Sequence, residues 1–344
     1  SGAWGIWLFA AGYFAAYAPY TALTKAASKG ELPFLPRAIG GLELLPISTI
    51  ASLVGMLLFL TAMRWWKHAT HRTVLGRSLP TPTKATLLSG LATAAIIATT
   101  TLSYTFTGTS ILLMMLLMRG GVLVIAPLVD LATKRRVRPR AWLALGLSLT
   151  ALFVALGVGD SYEMTLLSVA DVAVYLAAYF IRLRLMSQQA KTDDPDVAKR
   201  FFVEEQMVAT PAIVLFLALL AAIGSSPALL EIRSGFSALR SVEALAVAIA
   251  IGLFSQGTGI FGALVLLDGR ENAFCVPVNR ASSVLAGIVA SFVLAWTLGM
   301  APVPTSERVG AALLVLAIAL LAWPGRRTPS NEPQGEAQAT GKSS

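Results

Sequence analysis

Two arginines, Arg119 and Arg280, each lie inside a long apolar stretch of the sequence. An arginine at the centre of a membrane helix costs about 2.5–3.5 kcal/mol to insert, so it is retained where it faces a protein interior or a watery cavity. A guanidinium stays charged and offers five donors in a rigid fork, which suits a carboxylate, sulfonate or phosphate. The pair therefore predicts one anionic substrate site or, alternatively, two structural arginines that are neutralised by acidic neighbours.

Three glutamates in apolar stretches are candidate partners of these arginines. Glu43 belongs to the second stretch and is predicted to lie within reach of Arg119. Glu204 and Glu205 follow a basic pair near the start of the seventh stretch, which suggests an interfacial position. A carboxylate in such a setting serves as a counter-ion or, where burial outweighs pairing, as a proton carrier. Glu43 and Glu205 are predicted in one of these two roles.

Two tyrosine stripes are predicted to line a cavity around the arginines. The first comprises Tyr13, Tyr17 and Tyr20, and the second comprises Asp171, Tyr175, Tyr179 and Arg182. Residues spaced by four and seven share one face of a helix, where rings can pack on a substrate. An interfacial aromatic belt is the alternative, and it suits Tyr20 and Asp171 better than Tyr17 or Tyr179. Beyond the arginines, the substrate-contact candidates are Tyr17, Tyr104, Tyr179, Gln256 and Asn279.

The composition requires that these residues be positioned by membrane helices. The 344 residues are 56% hydrophobic and 13% charged, whereas soluble domains carry about 25% charged residues. Ten apolar stretches are long enough to span a bilayer of ~30 Å. They are Trp4–Thr24, Leu35–Met63, Thr86–Phe106, Thr109–Thr133, Ala141–Val158, Leu166–Met186, Phe201–Ile223, Val242–Leu267, Asn272–Leu298 and Val309–Trp323. The sequence thus predicts an all-α integral membrane protein with ten transmembrane helices.

The basic residues predict the orientation of these helices. Nineteen Lys and Arg residues fall on the side of both termini and six on the other side. Loops rich in Lys and Arg remain in the cytoplasm, so both termini are predicted to be cytoplasmic, in a bacterial inner membrane. The same distribution accounts for the net charge of +9 without a nucleic-acid partner. The polar residues 324–344 are predicted to form a disordered tail.

The sequence also contains signs of an internal duplication. A shift of 161 residues places MRGG around Arg119 on NRAS around Arg280. A shift of 162 residues places Tyr13 on Tyr175, Tyr17 on Tyr179 and Glu43 on Glu205. Five spans per half is an odd number, so two similar halves would lie in opposite orientations. Residues 3–158 and 159–323 are therefore predicted to be two inverted five-helix repeats.

These features resemble the drug/metabolite transporter superfamily. The resemblance rests on the segment TSILLMMLLMRGGVLVIAPLVDLATKRRVRPRAWLALGLSLTALFVALG, its partner PVNRASSVLAGIVASFVLAW, and very short connections before the fourth and ninth spans. Within this superfamily, a fourth span that carries an arginine resembles the EamA-like and nucleotide-sugar-transporter-like branch. The resemblance implies a central cavity that is built from the first four spans of each half and works by alternating access.

The sequence therefore predicts a secondary transporter for a small organic anion or anionic metabolite. It would need no cofactor, would be coupled to a proton or a counter-substrate, and would act as a monomer or homodimer. A flippase for a lipid phosphate or lipid-linked sugar is the alternative, with an opening to lipid near Met114, Met115 or Met118. An enzyme is disfavoured because the sequence has no catalytic motif, and a channel because selectivity rings generally need oligomeric symmetry.

Overall fold

The computed structural model describes residues 5–74, 77–103, 111–156, 165–192, 194–237, 242–299 and 305–322. Within these ranges the chain forms eleven α-helices and one small antiparallel hairpin. The helices are α1 (Gly5–Lys29), α2 (Gly41–Ala62), α3 (Lys84–Ser103), α4 (Ile111–Ala132), α5 (Pro139–Leu156), α6 (Leu166–Gln189), α7 (Pro195–Ile223), α8 (Pro227–Ser237), α9 (Val242–Leu266), α10 (Asn272–Leu298) and α11 (Thr305–Ala322). The strands are β1 (His71–Val74) and β2 (Arg77–Pro80), after a 3-10 turn at Trp65–His68. The polar residues 324–344 and Tyr104 lie outside the described residues.

The helices have the length and apolar character of membrane segments. Within the described ranges, five of them, α2, α6, α7, α9 and α10, are long and apolar enough to cross a bilayer. Large hydrophobic side chains remain on the outer surface, among them Leu8, Leu166 and Trp296 at 70%, 86% and 88% exposure. Such a surface suits lipid rather than water. The prediction of an all-α, multi-pass membrane protein is confirmed.

Several helix boundaries differ from the predicted spans for local reasons. α2 begins at Gly41 rather than Leu35, because the preceding segment contains Pro33 and Pro36 and folds as turns. α7 begins at Pro195 rather than Phe201, since the Asp194 side chain accepts a hydrogen bond from the Asp196 amide at 2.8 Å and caps the helix. The predicted loop after α2 contains the hairpin, and the predicted loop after α7 contains α8.

The packing of the helices places three helix ends beside three helix starts. α4, α6 and α9 end, and α5, α7 and α10 begin, at one end of the bundle, which we call the basal end; the opposite end is the apical end. α1 packs against α9 and α10, and α6 packs against α3 and α4. α2 packs against α9, α7 against α3, and α5 against α11. α1, α4, α6 and α10 consequently surround a common interior.

Close approach of α2 and α9 depends on Gly252. A Cβ atom added there would meet the Ser48 carbonyl oxygen and would lie 2.7 Å from the Ala51 Cβ. Gly252→Ala is therefore expected to destabilise the protein by about 1–3 kcal/mol through overpacking. Thermal unfolding in detergent measures the effect, with Gly146→Ala as the matched control, because a Cβ at Gly146 meets nothing within 4 Å. Equal melting temperatures for the two variants would contradict this packing.

Candidate functional site

Arg280 on α10 is held by an aromatic residue of α6. Its Nη2 donates a hydrogen bond to the Tyr179 hydroxyl at 2.5 Å, and its guanidinium carbon lies 5.0 Å from the centre of the same ring. A cation over a ring face is attracted by the ring quadrupole, so Tyr179 both orients and stabilises the charge. The Nε atom of Arg280 is buried and has no hydrogen-bond partner. The side chain thus retains a buried N–H donor that has no acceptor among the described residues.

Tyr13 of α1 and Tyr175 of α6 connect Arg280 with Arg119. Each of these tyrosines interacts electrostatically with both arginines. Tyr13 is 8% exposed and Tyr175 is 4% exposed, so the two rings belong to the interior of the bundle. The structure therefore brings together two arginines that stand far apart in the sequence, on α4 and α10, around one pair of buried tyrosines.

The two tyrosine stripes form ring ladders beside the arginines. The Tyr13 and Tyr17 rings lie 5.5 Å apart at 54°, and the Tyr175 and Tyr179 rings lie 5.0 Å apart at 56°. Tyr20 extends the first ladder at 5.6 Å from Tyr17. Tilted rings at these distances stabilise one another beyond the area that they bury. The ladders give the interior two aromatic walls.

Neither Arg119 nor Arg280 forms an ion pair with a carboxylate among the described residues. Arg182, in contrast, is fully neutralised. Its Nε and Nη2 donate to the two carboxylate oxygens of Glu205, each at 2.9 Å, and both side chains are buried. The interpretation as a structural, acid-neutralised arginine therefore fits Arg182, which the sequence placed on a cavity wall. Within the described ranges, no carboxylate neutralises Arg119 or Arg280 in this way.

Glu205 is the centre of a closed polar network between α3, α6 and α7. Besides Arg182, it accepts hydrogen bonds from Ser89 at 2.5 Å and from Thr93 at 3.1 Å. Ser89 and Thr93 are four residues apart on α3 and so present their hydroxyls on one face. This spacing was visible in the sequence, but nothing in the sequence indicated which carboxylate it meets. In the structure Glu205 is the counter-ion of Arg182.

Glu43 binds an arginine other than the one expected. Arg37 Nη1 donates to Glu43 Oε2 at 2.9 Å, and Nη2 donates to Oε1 at 2.5 Å. The segment before α2 carries Arg37 over the start of the helix, where Glu43 occupies the first turn. This hydrogen-bonded carboxylate raises the pKa of Arg37 above its usual value. Because the Arg37 side chain is 56% exposed, the pair belongs to the apical surface rather than to the Arg119 site.

The other predicted contact residues, Asn279 and Gln256, have different surroundings. Asn279 donates to the Gly262 carbonyl at 3.3 Å, and Gly262 packs against Tyr13, so Asn279 borders the tyrosine pair. Gln256 instead points between α2 and α9, with its amide nitrogen 3.6 Å from the Met56 sulfur. Tyr104 lies outside the described residues.

Asp130, at the end of α4, caps the start of α10. Its Oδ1 accepts from the Asn272 backbone and side-chain nitrogens at 2.9 and 2.7 Å, and its Oδ2 accepts from the Ala273 amide at 2.7 Å. The basic run Lys134–Arg140 follows Asp130 in the sequence and would favour an ion pair, but the carboxylate instead binds the start of α10. The first amides of a helix lack internal partners and carry partial positive charge, so they compete well for a buried carboxylate.

Asp130→Ala is expected to destabilise the protein by about 1–3 kcal/mol, because buried amides of α10 lose their acceptor. Asp130→Asn should have a smaller effect, since it retains one acceptor oxygen at the same position. Thermal unfolding of the purified protein ranks the three forms. Equal stability of the alanine and asparagine variants would contradict the capping role.

Glu204 on α7 binds residues of the connection between α2 and α3 and of the first turn of α3. It is fully buried and accepts four hydrogen bonds, two from Thr70 and one each from Thr83 and Thr86, at 2.7–3.0 Å. The side chain is thus buried within the protein, and its interfacial depth in a bilayer stays a prediction. The carboxylate lies beneath the connection between α2 and α3, which covers it.

Comparison with known proteins gives similarity of fold alone. No family model matches the chain, and no curated protein matches it. A solved structure that is described only as "Crystal structure of protein" is similar, with a TM-score of 0.54 and 15% sequence identity. The similarity covers 91% of this chain and 94% of that one. At this identity the chain shares an overall helix arrangement with that protein over nearly its whole length.

Proposed function

We propose that this protein is a secondary transporter that moves a small organic anion by alternating access. The observation that carries the proposal is the pair Arg119 and Arg280. Both interact with Tyr13 and Tyr175, and neither has a carboxylate partner among the described residues. Withdrawing an ion from water costs several kcal/mol, and an uncompensated charge is retained where it has a function. An anionic substrate supplies the missing negative charge.

The architecture in this proposal is ten spans in two inverted repeats. Helix packing supports it, because α1 lies on α9 and α10 as α6 lies on α3 and α4. In the same way α2 lies on α9 as α7 lies on α3, and α5 lies on α11. The ten spans are all the helices except the short α8. When α1, α2, α3, α4 and α5 are exchanged in order with α6, α7, α9, α10 and α11, the same pairs of packed helices result. The similar ring angles of the two tyrosine ladders, 54° and 56°, agree with the same symmetry.

The substrate class is a carboxylate with an apolar or ring-shaped body. Arg182 supplies the precedent, because its Nε and Nη2 together bind both oxygens of Glu205. On Arg280, Nη2 is bound by the Tyr179 hydroxyl, while Nε is buried and has no partner. A substrate oxygen that accepts a hydrogen bond from Nε would occupy the edge of the Arg280 guanidinium that Glu205 occupies on Arg182. The tyrosine rings would pack against the body of the substrate.

The proposal extends to orientation and mechanism as the sequence predicts them. Both termini face the cytoplasm of a bacterium, so the basal end is the cytoplasmic side. The bonds of Asp130 to α10 then close the site toward the cytoplasm, and they must open in the other half of the cycle. The resemblance to the drug/metabolite transporter superfamily favours the same alternating movement. The protein works as a monomer or homodimer.

The competing functions receive less support. A flippase was expected to open toward lipid beside Met118, but Met118 is 3% exposed and belongs to the hydrophobic core. The side chains of Met114 and Met115 lie outside the described part of the chain. The polar interior is built from arginine and tyrosine, which favours binding and orientation of an anion over enzymatic chemistry.

Proteoliposomes that contain the full chain test the transport function. They are loaded with a mixture of benzoate, succinate, glutamate and glucuronate, and entry of each labelled anion is followed. A carrier gives saturable uptake that rises when the same anion is present inside. Unsaturable conductance would indicate a channel. The absence of uptake of every anion, with correctly inserted protein, would contradict the proposal.

A further inference from the structure

Asp171 on α6 is a buried carboxylate that has no role in the arginine site described above. It is 7% exposed, and its Oδ2 atom is buried without a hydrogen-bond partner. No ion pair joins it to a basic residue within the described ranges. It precedes Tyr175 by one helical turn and Tyr179 by two, so it stands on the apical side of the ladder that leads to Arg280.

The helices that pack against α6 provide few charges near Asp171. α3 carries Lys84 at its basal end and no other charged or titratable residue up to Ser103. α4 carries only Arg119 and the basal Asp130. α7 has its charged residues in its first eleven positions and none from residue 206 to residue 223. On α6 itself, Tyr175 is the nearest titratable group, and it interacts with Arg119.

The two carboxylates predicted as proton carriers have partners that Asp171 lacks. Glu43 is bound by Arg37 through two hydrogen bonds, and Glu205 is bound by Arg182 and two hydroxyls. A carboxylate with a fixed cationic partner stays ionised, whereas an ionisable group that is buried in a membrane helix without one is suited to exchange a proton. Among the described acids within α6 and α7, Asp171 best meets that condition.

We propose that Asp171 is the proton-binding carboxylate of this transporter and that the proton enters together with the organic anion. The inference rests on the proposed transport function. The carboxylate takes one proton from apical water to become a neutral acid, and it releases this proton on the basal side after the anion has left. Ionised Asp171 repels an anion that approaches Arg280, and protonation removes that repulsion. Proton and anion therefore strengthen each other's binding, and this coupling is reciprocal.

The proton site can be tested without knowledge of the substrate. Infrared difference spectra of the full chain in liposomes, recorded during a pH titration, report the carbonyl band of each protonated carboxyl. We expect a titrating band that is lost in Asp171→Asn and restored, at a shifted position, in Asp171→Glu. The matched control is Asp194→Asn, because Asp194 is an exposed helix cap and asparagine caps equally well. The same titrating band in wild type and in Asp171→Asn would overturn the proposal.

The coupling is tested by binding of benzoate, succinate, glutamate and glucuronate over a range of pH. In the wild type, the affinity for the anion should fall about tenfold for each unit by which the pH exceeds the value at which Asp171 loses its proton. In Asp171→Asn, which mimics the neutral acid, affinity should no longer depend on pH. An unchanged pH profile in this variant would overturn the coupling. If the wild type binds none of these anions, the proposed function fails, while the infrared titration still decides whether Asp171 binds a proton.

Discussion

Replacing Arg280 with glutamine is expected to lower anion uptake by more than about tenfold without unfolding the protein. Removing one partner of a buried charged contact costs about 2–5 kcal/mol, and each 1.4 kcal/mol is about a tenfold change in affinity. The variant loses both the positive charge and the Nε donor that we assign to the substrate carboxylate. Initial rates of uptake into proteoliposomes, measured over a range of anion concentrations, give the size of the effect.

The stability of the Arg280→Gln variant separates a binding role from a structural one. Arg280 has no carboxylate partner among the described residues, so its removal leaves no buried negative charge behind. Loss of the contact with Tyr179 is offset by removal of a buried charge, and we expect a change within about 1 kcal/mol. Arg184→Gln, on the exposed side of α6, is the matched control for both measurements. A folded Arg280→Gln variant with undiminished uptake would contradict the assignment.

Removing Glu205 is expected to have the largest effect on stability. Glu205→Ala leaves the buried guanidinium of Arg182 without its counter-ion and leaves the Ser89 and Thr93 hydroxyls without their acceptor. Breaking a buried ion pair on one side costs about 3–5 kcal/mol. Chemical or thermal unfolding in detergent measures the loss, and we expect it to exceed that of Glu43→Ala, whose partner Arg37 is largely exposed.

A double replacement shows whether the loss comes from the orphaned charge. Replacing a buried ion pair with apolar residues of similar volume is often neutral or stabilising. Arg182→Met combined with Glu205→Leu should therefore recover most of the stability that Glu205→Ala loses. If the double variant is as unstable as the single variant, the pair contributes through its hydrogen bonds to α3 rather than through charge compensation.

The sequence predicted those features of the fold that depend on local composition. Long apolar runs indicated membrane helices, and turns or a cap displaced two of the predicted starts, to Gly41 and Pro195. The tyrosine stripes followed from helical periodicity. The grouping of Arg119 and Arg280 was expected from the internal duplication, which is a property of the chain as a whole rather than of any single segment.

The binding partners of Glu205 and Asp130 could not be predicted from the sequence. Each of these contacts joins two helices whose relative height and rotation are set by packing. Glu205 meets Arg182 because α6 and α7 align those two residues at one depth between them. Asp130 meets the amides of α10 rather than the basic residues that follow it in sequence. Asp171 was predicted to line a cavity or, alternatively, to lie in an interfacial belt. Its burial depends on neighbouring helices that the sequence does not reveal.

The most direct test of the central claim measures whether an organic anion stabilises the purified protein through both arginines. Melting temperatures are recorded with benzoate, succinate, glutamate and glucuronate for the wild type, Arg119→Gln and Arg280→Gln. We expect at least one anion to raise the melting temperature of the wild type and to have no effect on either variant. The same anion stabilising all three proteins equally would contradict a shared site at Arg119 and Arg280.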